Sequence, residues 1–290
     1  MAGRREEQRS PSSAEPKAGG RLPLRYSLRS IGARPVRTLL TVAVVALVVL
    51  AVTLMLSLVS GIRRTLVATG SPDNLIVLRK GATNDGSSMI PIEAYQAVRY
   101  FAGIATDQPS GEPLVSPELV VQPFFHTAAG GRENVLVRGI RPVAFAVHEN
   151  VRVGEGRMAR PSSGEAMVGR GLLARYGDIG PGRELRFGRR TWTVVGILDS
   201  GGSAFESEVW VDVHDLWNDA NRSAYSGLRL KAAPGADRDA LVRRIESDGR
   251  WALEARPEVD YYEEQGETAN FLYGLTLILA AVMGLGATFG

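Results

Sequence analysis

The stretch Thr38–Ile62, "TLLTVAVVALVVLAVTLMLSLVSGI", decides the class of this protein before any other residue is read. It lies between Arg37 and Arg63 and carries no charge. At ~1.5 Å per helical residue it is longer than the ~30 Å of hydrocarbon a helix must cross. A cleaved secretion signal has an apolar region of only about 7–15 residues and ends in a small-residue cleavage site, which is missing here. The spacing therefore predicts a retained transmembrane helix over 38–62.

Charge sets the direction of this span. Residues 1–37 hold nine basic residues (Arg4, Arg5, Arg9, Lys17, Arg21, Arg25, Arg29, Arg34, Arg37) against three acids, about +6, while the whole chain is only +3. Basic flanks resist translocation, so the N-terminal tail is expected in the cytoplasm and the chain beyond the span outside. With no basic stripe interleaved with aromatics in the folded region, the charge reads as topology and not as nucleic-acid binding. Residues 1–20, rich in Ser, Pro, Gly and charge, read as a disordered cytoplasmic tail. Over 21–37, Leu24, Leu28 and Ile31 recur at helical spacing beside Arg25 and Arg29. That pattern fits either an amphipathic helix lying on the inner membrane face or a plain basic flank.

A second apolar run closes the sequence at 271–290, "FLYGLTLILAAVMGLGATFG", entered from the acidic "YYEEQGE" of 261–267. It is expected to be a second span returning the chain inward. Gly286 and Gly290 form G-x-x-x-G, and Ala280, Gly284 and Thr288 repeat every fourth residue. Small residues at this spacing let helices approach closely in lipid, so these five are helix-packing candidates.

Between the spans, residues 63–268 are long enough for a folded body with its own core. Leu58, Ile62 and Leu66 keep a four-residue spacing past Arg63, predicting a helix that continues as a stalk until "GSPDN" stops it. Tyr261, Gln265 and Ala269 suit a second stalk, although Tyr261, Tyr262 and Tyr273 also read as residues of the aromatic membrane belt. "NLIVLRKG", "ELVVQPFFH" and "ENVLVRG" read as strands, and "PIEAYQAVRYFAG" as a helix begun by Pro91 and capped by Gly103. A similar unit closes the domain, with strands "SGLRLKA" and "WALEARPEV" around a helix near whose cap Asp237 lies. A β-rich insert at about 145–220 contains a hairpin turning at Gly188-Arg189, the alternating strand "EVWVDV", and a helix capped by Gly177. The fold class expected is a membrane protein whose α-helical transmembrane segments flank an α+β extracytoplasmic domain.

Catalytic constellations are not found. There is no G-x-x-x-x-G-K-[ST] stretch and so no phosphate-binding loop for ATP. His126, His148 and His214 lack metal-ligand spacing and read as structural or surface residues. With no cysteine the chain has neither thiol nucleophile nor disulfide framework. "DSGGSAFES" (199–207) is not a G-x-S-x-G elbow and reads as a flexible connection, in which Gly201 and Gly202 could admit a ligand to the backbone. The chain is not expected to be an enzyme, to bind a cofactor or to hold a metal.

The order "YSLRSIGARPVRTLLT", "VLVRGIRP", "GEAMVGRGLLARYG", "RTWTVVGIL", "YYEEQGE" and "AAVMGLGATFG" resembles the MacB/FtsX-type ABC transporter permeases, most closely the DevC-like branch. The resemblance covers essentially everything after residue 20. It implies a periplasmic core domain between the first two of four spans and a cytoplasmic ABC ATPase partner that holds the ATP. It also implies a second permease copy, a membrane-fusion or periplasmic adaptor protein, and residence in the cell membrane with the large domain outside. Against that pattern the sequence reads as truncated in its second span. The implied function is mechanotransmission, in which ATPase closure tilts the spans and the stalks move the exterior domain. The alternative is a membrane-tethered binding or sensor module with no transport role.

Overall fold

The computed structural model describes residues 35–108, 110–126, 131–177, 179–266 and 274–282. They fall into two units, residues 1–52 with 279–290 and residues 53–278. The predicted disordered tail and juxtamembrane segment, with Leu24, Arg25, Leu28, Arg29 and Ile31, lie outside the described residues, as do Ala269, Gly284, Gly286, Thr288 and Gly290.

Helix α1 (Pro35–Val67) opens on a proline, a residue whose fixed φ and missing N–H suit the first helical turn. Its 33 residues span ~50 Å, roughly 20 Å more than the hydrocarbon thickness. Among the described residues it is the one helix long and apolar enough to cross a membrane, with mean hydropathy 3.0 over Val42–Val67. Leu39, Leu47, Leu50 and Leu54 are exposed, so this helix is apolar toward its surroundings and not toward a protein core. Residues 274–282 are also helical.

Beyond α1 the folded domain is built on one mixed sheet. Its strands are β1 (Asn74–Arg79), β2 (Val115–Val121), β5 (Leu136–Ile140), β6 (Arg152–Gly156), β7 (Glu165–Gly169), β8 (Glu184–Phe187), β9 (Arg190–Asp199), β10 (Glu208–Asp212), β11 (Gly227–Lys231) and β12 (Leu253–Pro257). The order is β12-β1-β11-β2-β5-β10-β7-β9-β6, with β8 pairing β9. A separate ribbon joins β3 (Phe124–His126) to β4 (Arg132–Asn134). The helices are α2 (Ile92–Val98), α3 (Ala144–Val147), α4 (Arg170–Tyr176), α5 (Val213–Ala220), α6 (Arg238–Glu246) and α7 (Glu258–Gln265).

The antiparallel quarter β12-β1-β11-β2, with α2 and α6 as crossovers, has the order of a ferredoxin-like β-α-β-β-α-β unit. The similarity between the first and last segments of the domain is therefore the two halves of one such unit. The residues between its halves extend the same sheet through β5, β10, β7, β9 and β6.

Side chains alternate across each strand, so every strand serves two faces. One face carries the main core, where Leu75, Val77, Val137, Val209, Leu228 and Leu230 meet Tyr95 and Val98 of α2, Leu216 of α5, and Leu241 and Ile245 of α6. Trp192, fully buried, stacks on Phe187 at 5.0 Å, and Phe187 on Phe125 at 5.1 Å. The opposite face carries smaller apolar clusters around Trp210 and around Tyr261 and Tyr262.

Several local expectations need correction. "ELVVQPFFH" is two strands, because Pro123 lacks the N–H that a continuing ladder needs. "ENVLVRG" likewise divides between β4 and β5. Helix α2 ends at Val98 with Arg99 as its cap, so Gly103 caps nothing, and Pro91 is the N-cap and not the first helical residue. "EVWVDV" alternates in polarity, yet all five residues of β10 are buried, since both faces of the sheet are covered there. Residues 204–207 are not a flexible connection but a 3-10 turn whose Phe205 is fully buried. The hairpin at Gly188-Arg189 and the Gly177 cap form where expected, and Asp237 is an N-cap that accepts from the Ala240 N–H.

The 3-10 turn presses directly on β7, where a Cβ at Gly169 would lie 2.2 Å from the Glu206 carbonyl oxygen. Gly169→Ala is expected to destabilise the folded domain by about 1–3 kcal/mol in thermal or denaturant unfolding, through overpacking. Gly61→Ala, at a helical position with no atom within 4 Å of the added carbon, is expected to be neutral or stabilising by up to ~1 kcal/mol.

Candidate functional site: a buried charge network at the stalk junction

Four adjacent strands each supply one charged residue, Arg229 at the middle of β11, Glu118 of β2 and Arg138 of β5, and Glu208 at the start of β10. The register sets Arg138 opposite both Val120 and Trp210, and Arg229 opposite Ser116. By the two-residue alternation, Glu118, Arg138, Glu208 and Arg229 therefore share the face away from the main core.

There they form one buried network. Arg138 grips Glu208 with two parallel bonds, Nε to Oε2 and Nη2 to Oε1, both 2.7 Å. Its Nη1 donates to Glu118 Oε2 at 2.8 Å, and the same oxygen accepts from Arg229 Nη1 at 2.8 Å. Asp85, from the turn at Asp85–Ser87, is shared the same way: its Oδ2 accepts from Arg229 Nη2 at 2.9 Å and lies 3.5 Å from Arg138 Nη1. His148 Nε2 meets Glu118 Oε1 at 2.7 Å, and the Trp210 indole donates to Glu208 Oε2 at 2.9 Å. Since an ionised carboxylate only accepts, the His148 proton sits on Nε2. Phe205 lies 5.4 Å from the Arg138 guanidinium.

Burial opposes every charge in this set, and the partners outweigh it. For Glu118 burial raises the carboxyl pKa, but Arg229, His148 and Arg138 together hold it well below the carboxylate range. Asp85 is lowered against its own burial by Arg229 and Arg138. Arg138 is raised mainly by Glu208 and Arg229 mainly by Glu118, again against burial. Burial also pushes the Tyr261 phenol up to about 12 and that of Tyr262 further. Removing one member of such a set leaves a buried charge without its counter-charge, which is far costlier than losing a surface pair.

The network meets the end of α1 and the start of α7. Past α1, a Cβ at Gly70 would lie 3.0 Å from the Val259 Cα, so the chain leaving α1 runs against the start of α7. Glu258, the first residue of α7, accepts from the Ser71 N–H at 3.1 Å and from Asn74 Nδ2 at 3.0 Å, while its other oxygen faces Arg229 Nε at 3.3 Å. Thr69 Oγ1 accepts from the Ala204 N–H at 2.8 Å, tying the same exit to the 3-10 turn over β7. Between the end of α1, helix α7 and the sheet lies a cavity of about 560 Å³, floored by Arg138, Glu208 and Val120 and walled by Leu66, Tyr261 and Tyr262.

Of the predicted stalk residues, Leu58 and Ile62 are exposed on α1, and Leu66 packs on the cluster of Ile76, Leu78, Tyr261 and Tyr262. Tyr261 and Tyr262 are buried in the domain, which excludes them from a membrane belt. Gln265 donates to the Thr83 carbonyl at 3.0 Å. Ala280 lies in the helical stretch 274–282 and is partly buried. Among the histidines, His148 is a buried member of the network and His214 a surface residue against Trp217. Sequence reading missed the network itself. Its signal was a lone charge flanked by apolar residues in "ELV", "VRG" and "LRL", a pattern that an ordinary half-exposed strand also shows.

The family model for the "MacB-like periplasmic core domain" matches residues 38–248. The chain belongs to the MacB-like periplasmic core domain family. The match begins inside α1, so the family pattern takes in the apolar helix and the domain together. Among solved structures, the periplasmic region of MacB from Actinobacillus actinomycetemcomitans is similar at 13% identity and TM-score 0.50, over 69% of this chain and 94% of that one. The extracellular domain of the noncanonic ABC-type transporter YknZ from Gram-positive bacteria aligns at 14% identity and TM-score 0.48, over 63% of this chain and 99% of that one. A domain of a permease-like protein from Porphyromonas gingivalis aligns at 12% and 0.43, over 64% and 90%. No curated protein matches the chain.

For this MacB-like domain, Glu118→Gln is expected to cost roughly 3–5 kcal/mol near neutral pH, because two buried guanidiniums lose their shared counter-charge. Asp85 and Glu118 have folded-state pKa values below their unfolded ones. The stability they contribute is therefore complete above the unfolded carboxylate range of about 3.9–4.3 and is lost as pH falls from there toward the folded values. Denaturant titrations from pH 7 to about pH 2 should show that decline in the native chain and a flatter one in Glu118→Gln.

Proposed function

We propose that this chain is the permease subunit of a MacB/FtsX-type ABC transporter. In this reading a cytoplasmic ABC ATPase binds and hydrolyses ATP, and closure of the ATPase tilts the spans of two permease copies in the lipid bilayer. The stalks then move the extracytoplasmic domain for export or extraction of a substrate, with a membrane-fusion or periplasmic adaptor protein as a further partner.

The observation that carries the reading is the continuity of α1. A single helix runs from Pro35 through the apolar stretch and past Arg63 and Arg64 to Val67, with no proline inside it. Three residues on, at Gly70, the chain is packed against α7. A tilt of one end of such a helix reaches the other end as displacement and is not absorbed in a flexible linker. Leu58, Ile62 and Leu66 are assigned to the first stalk and Tyr261, Gln265 and Ala269 to the second. Ala280, Gly284, Gly286, Thr288 and Gly290 are assigned to helix packing within the membrane. The family match and the resemblance of the fold to the periplasmic region of MacB support the same assignment.

Inserting two glycines after Arg64 would soften the lever where α1 leaves the apolar stretch. In the complex with its ATPase, membrane insertion and ATP hydrolysis should persist, while ATP-driven movement of a spectroscopic label on β9 is lost. A label that still moves with ATP in the insertion variant overturns the reading.

A further inference from the structure

The network leaves one of its ion pairs without a hydrogen bond. Arg229 Nε and Glu258 Oε1 are both fully buried and lie 3.3 Å apart, yet neither takes part in a hydrogen bond. The opposite charges attract, but the directional bond that would complete the pair is unmade, as is one at the neighbouring Asn74 Oδ1. Glu258 Oε2 is the opposite case, since it holds the Ser71 N–H and Asn74 Nδ2 at once. One carboxylate therefore has one oxygen on the chain leaving the first stalk and the other one bond short of the charge network, while its backbone opens the second stalk.

The far side of the network is a seam. Strands β2 and β5 join the ferredoxin-like quarter to the rest of the sheet, and their ladder has only three residue pairs, Leu119–Val121 with Val137–Gly139. Arg229 and Arg138 lie on opposite sides of that seam and share Glu118 Oε2, 2.8 Å from each. A shift of Arg229 cannot leave this shared oxygen undisturbed, and through it the seam.

We infer that Glu258 is the positioning residue that transmits stalk displacement to the β2–β5 seam. It does so by exchanging its hold on Ser71 and Asn74 for a completed bond to Arg229. This deepens the reading of the stalks as levers and rests on it. The two arrangements differ by a small turn at the start of α7: in one, Oε2 is satisfied and Arg229 Nε is not, and in the other the reverse holds. A packed interior favours such discrete alternatives over continuous deformation.

The chain has no cysteine, so thiols placed at Leu66 and Gly266, where a Cβ would stand 3.7 Å from Leu66 Cδ1, can be bridged selectively. Bridging them in the full chain, in lipid and without ATPase, should slow amide hydrogen exchange at 119–121 and 137–139 by about fivefold. In Glu258→Gln, which keeps size and shape, and in Asn74→Leu, which leaves the Glu258–Arg229 pair intact, the same bridge should change seam exchange less than about twofold. If Glu258→Gln does not fold, Asn74→Leu decides alone. An unaltered seam in the bridged native backbone, or an equal response in the variants, overturns the inference. Exchange is read without ATP, so the inference can fail while locked stalks still stop ATP-driven movement. It can equally hold while that movement proves independent of the stalks.

Discussion

One carboxylate oxygen, Glu118 Oε2, holds two buried guanidiniums at 2.8 Å each, and the polar face of the sheet depends on what that requires. Charges removed from water need close counter-charges with good geometry. Arg138 can be buried only with Glu208 beside it on β10, Arg229 only with Asp85 and Glu258 nearby, and Glu118 only with both arginines and His148. Those residues come from four strands, a 3-10 turn and two helical elements. Meeting the electrostatic requirement therefore fixes the order of the central strands and the placement of the covering pieces together. An apolar filling of the same face would be less demanding, and less exclusive of other packings.

The two faces of the sheet divide the work. The face carrying Leu75, Val137 and Val209 is an ordinary apolar core with helices laid across it. The other is polar at its centre with apolar clusters at either side, one around Trp210 and Phe205 and one around Tyr261 and Tyr262. It is closed by Leu66 and Thr69 at the end of the long apolar helix on one side and by Glu258 to Gly266 on the other. The end of α1 and the charged interior thus share the same few residues.

How much of this was legible in the sequence depends on the range of the force that decides each feature. Asp237 as a helix cap, Gly177 as a helix stop and the turn at Gly188-Arg189 are settled by side chains acting on backbone within a few residues, and each was readable. The long apolar helix was readable because the bilayer imposes a length on its residues. A continuous strand through Pro123 was misleading because the apolar pattern runs on across a residue whose missing N–H ends the ladder. The burial of Arg229 was not readable at all. In "SGLRLKA" it occupies the position of an ordinary solvent-facing residue, and it is buried because Glu118 and Glu258, distant in sequence, come to meet it. Leu66 is an intermediate case, since its helical spacing showed that it continued the helix past Arg63 but not that Tyr261 would be its neighbour.

The pairing of β1 carries a consequence for biogenesis. This strand follows α1 directly, yet both of its neighbours, β11 and β12, lie at the opposite end of the domain's sequence. During synthesis it emerges early and must wait, unpaired and apolar, until nearly the whole domain has been made. Long-range pairing of this kind is slow and leaves a sticky edge open in the meantime. Helix α1 directly precedes that edge, so the one long apolar helix among the described residues and the strand that waits longest for its partners are made in succession.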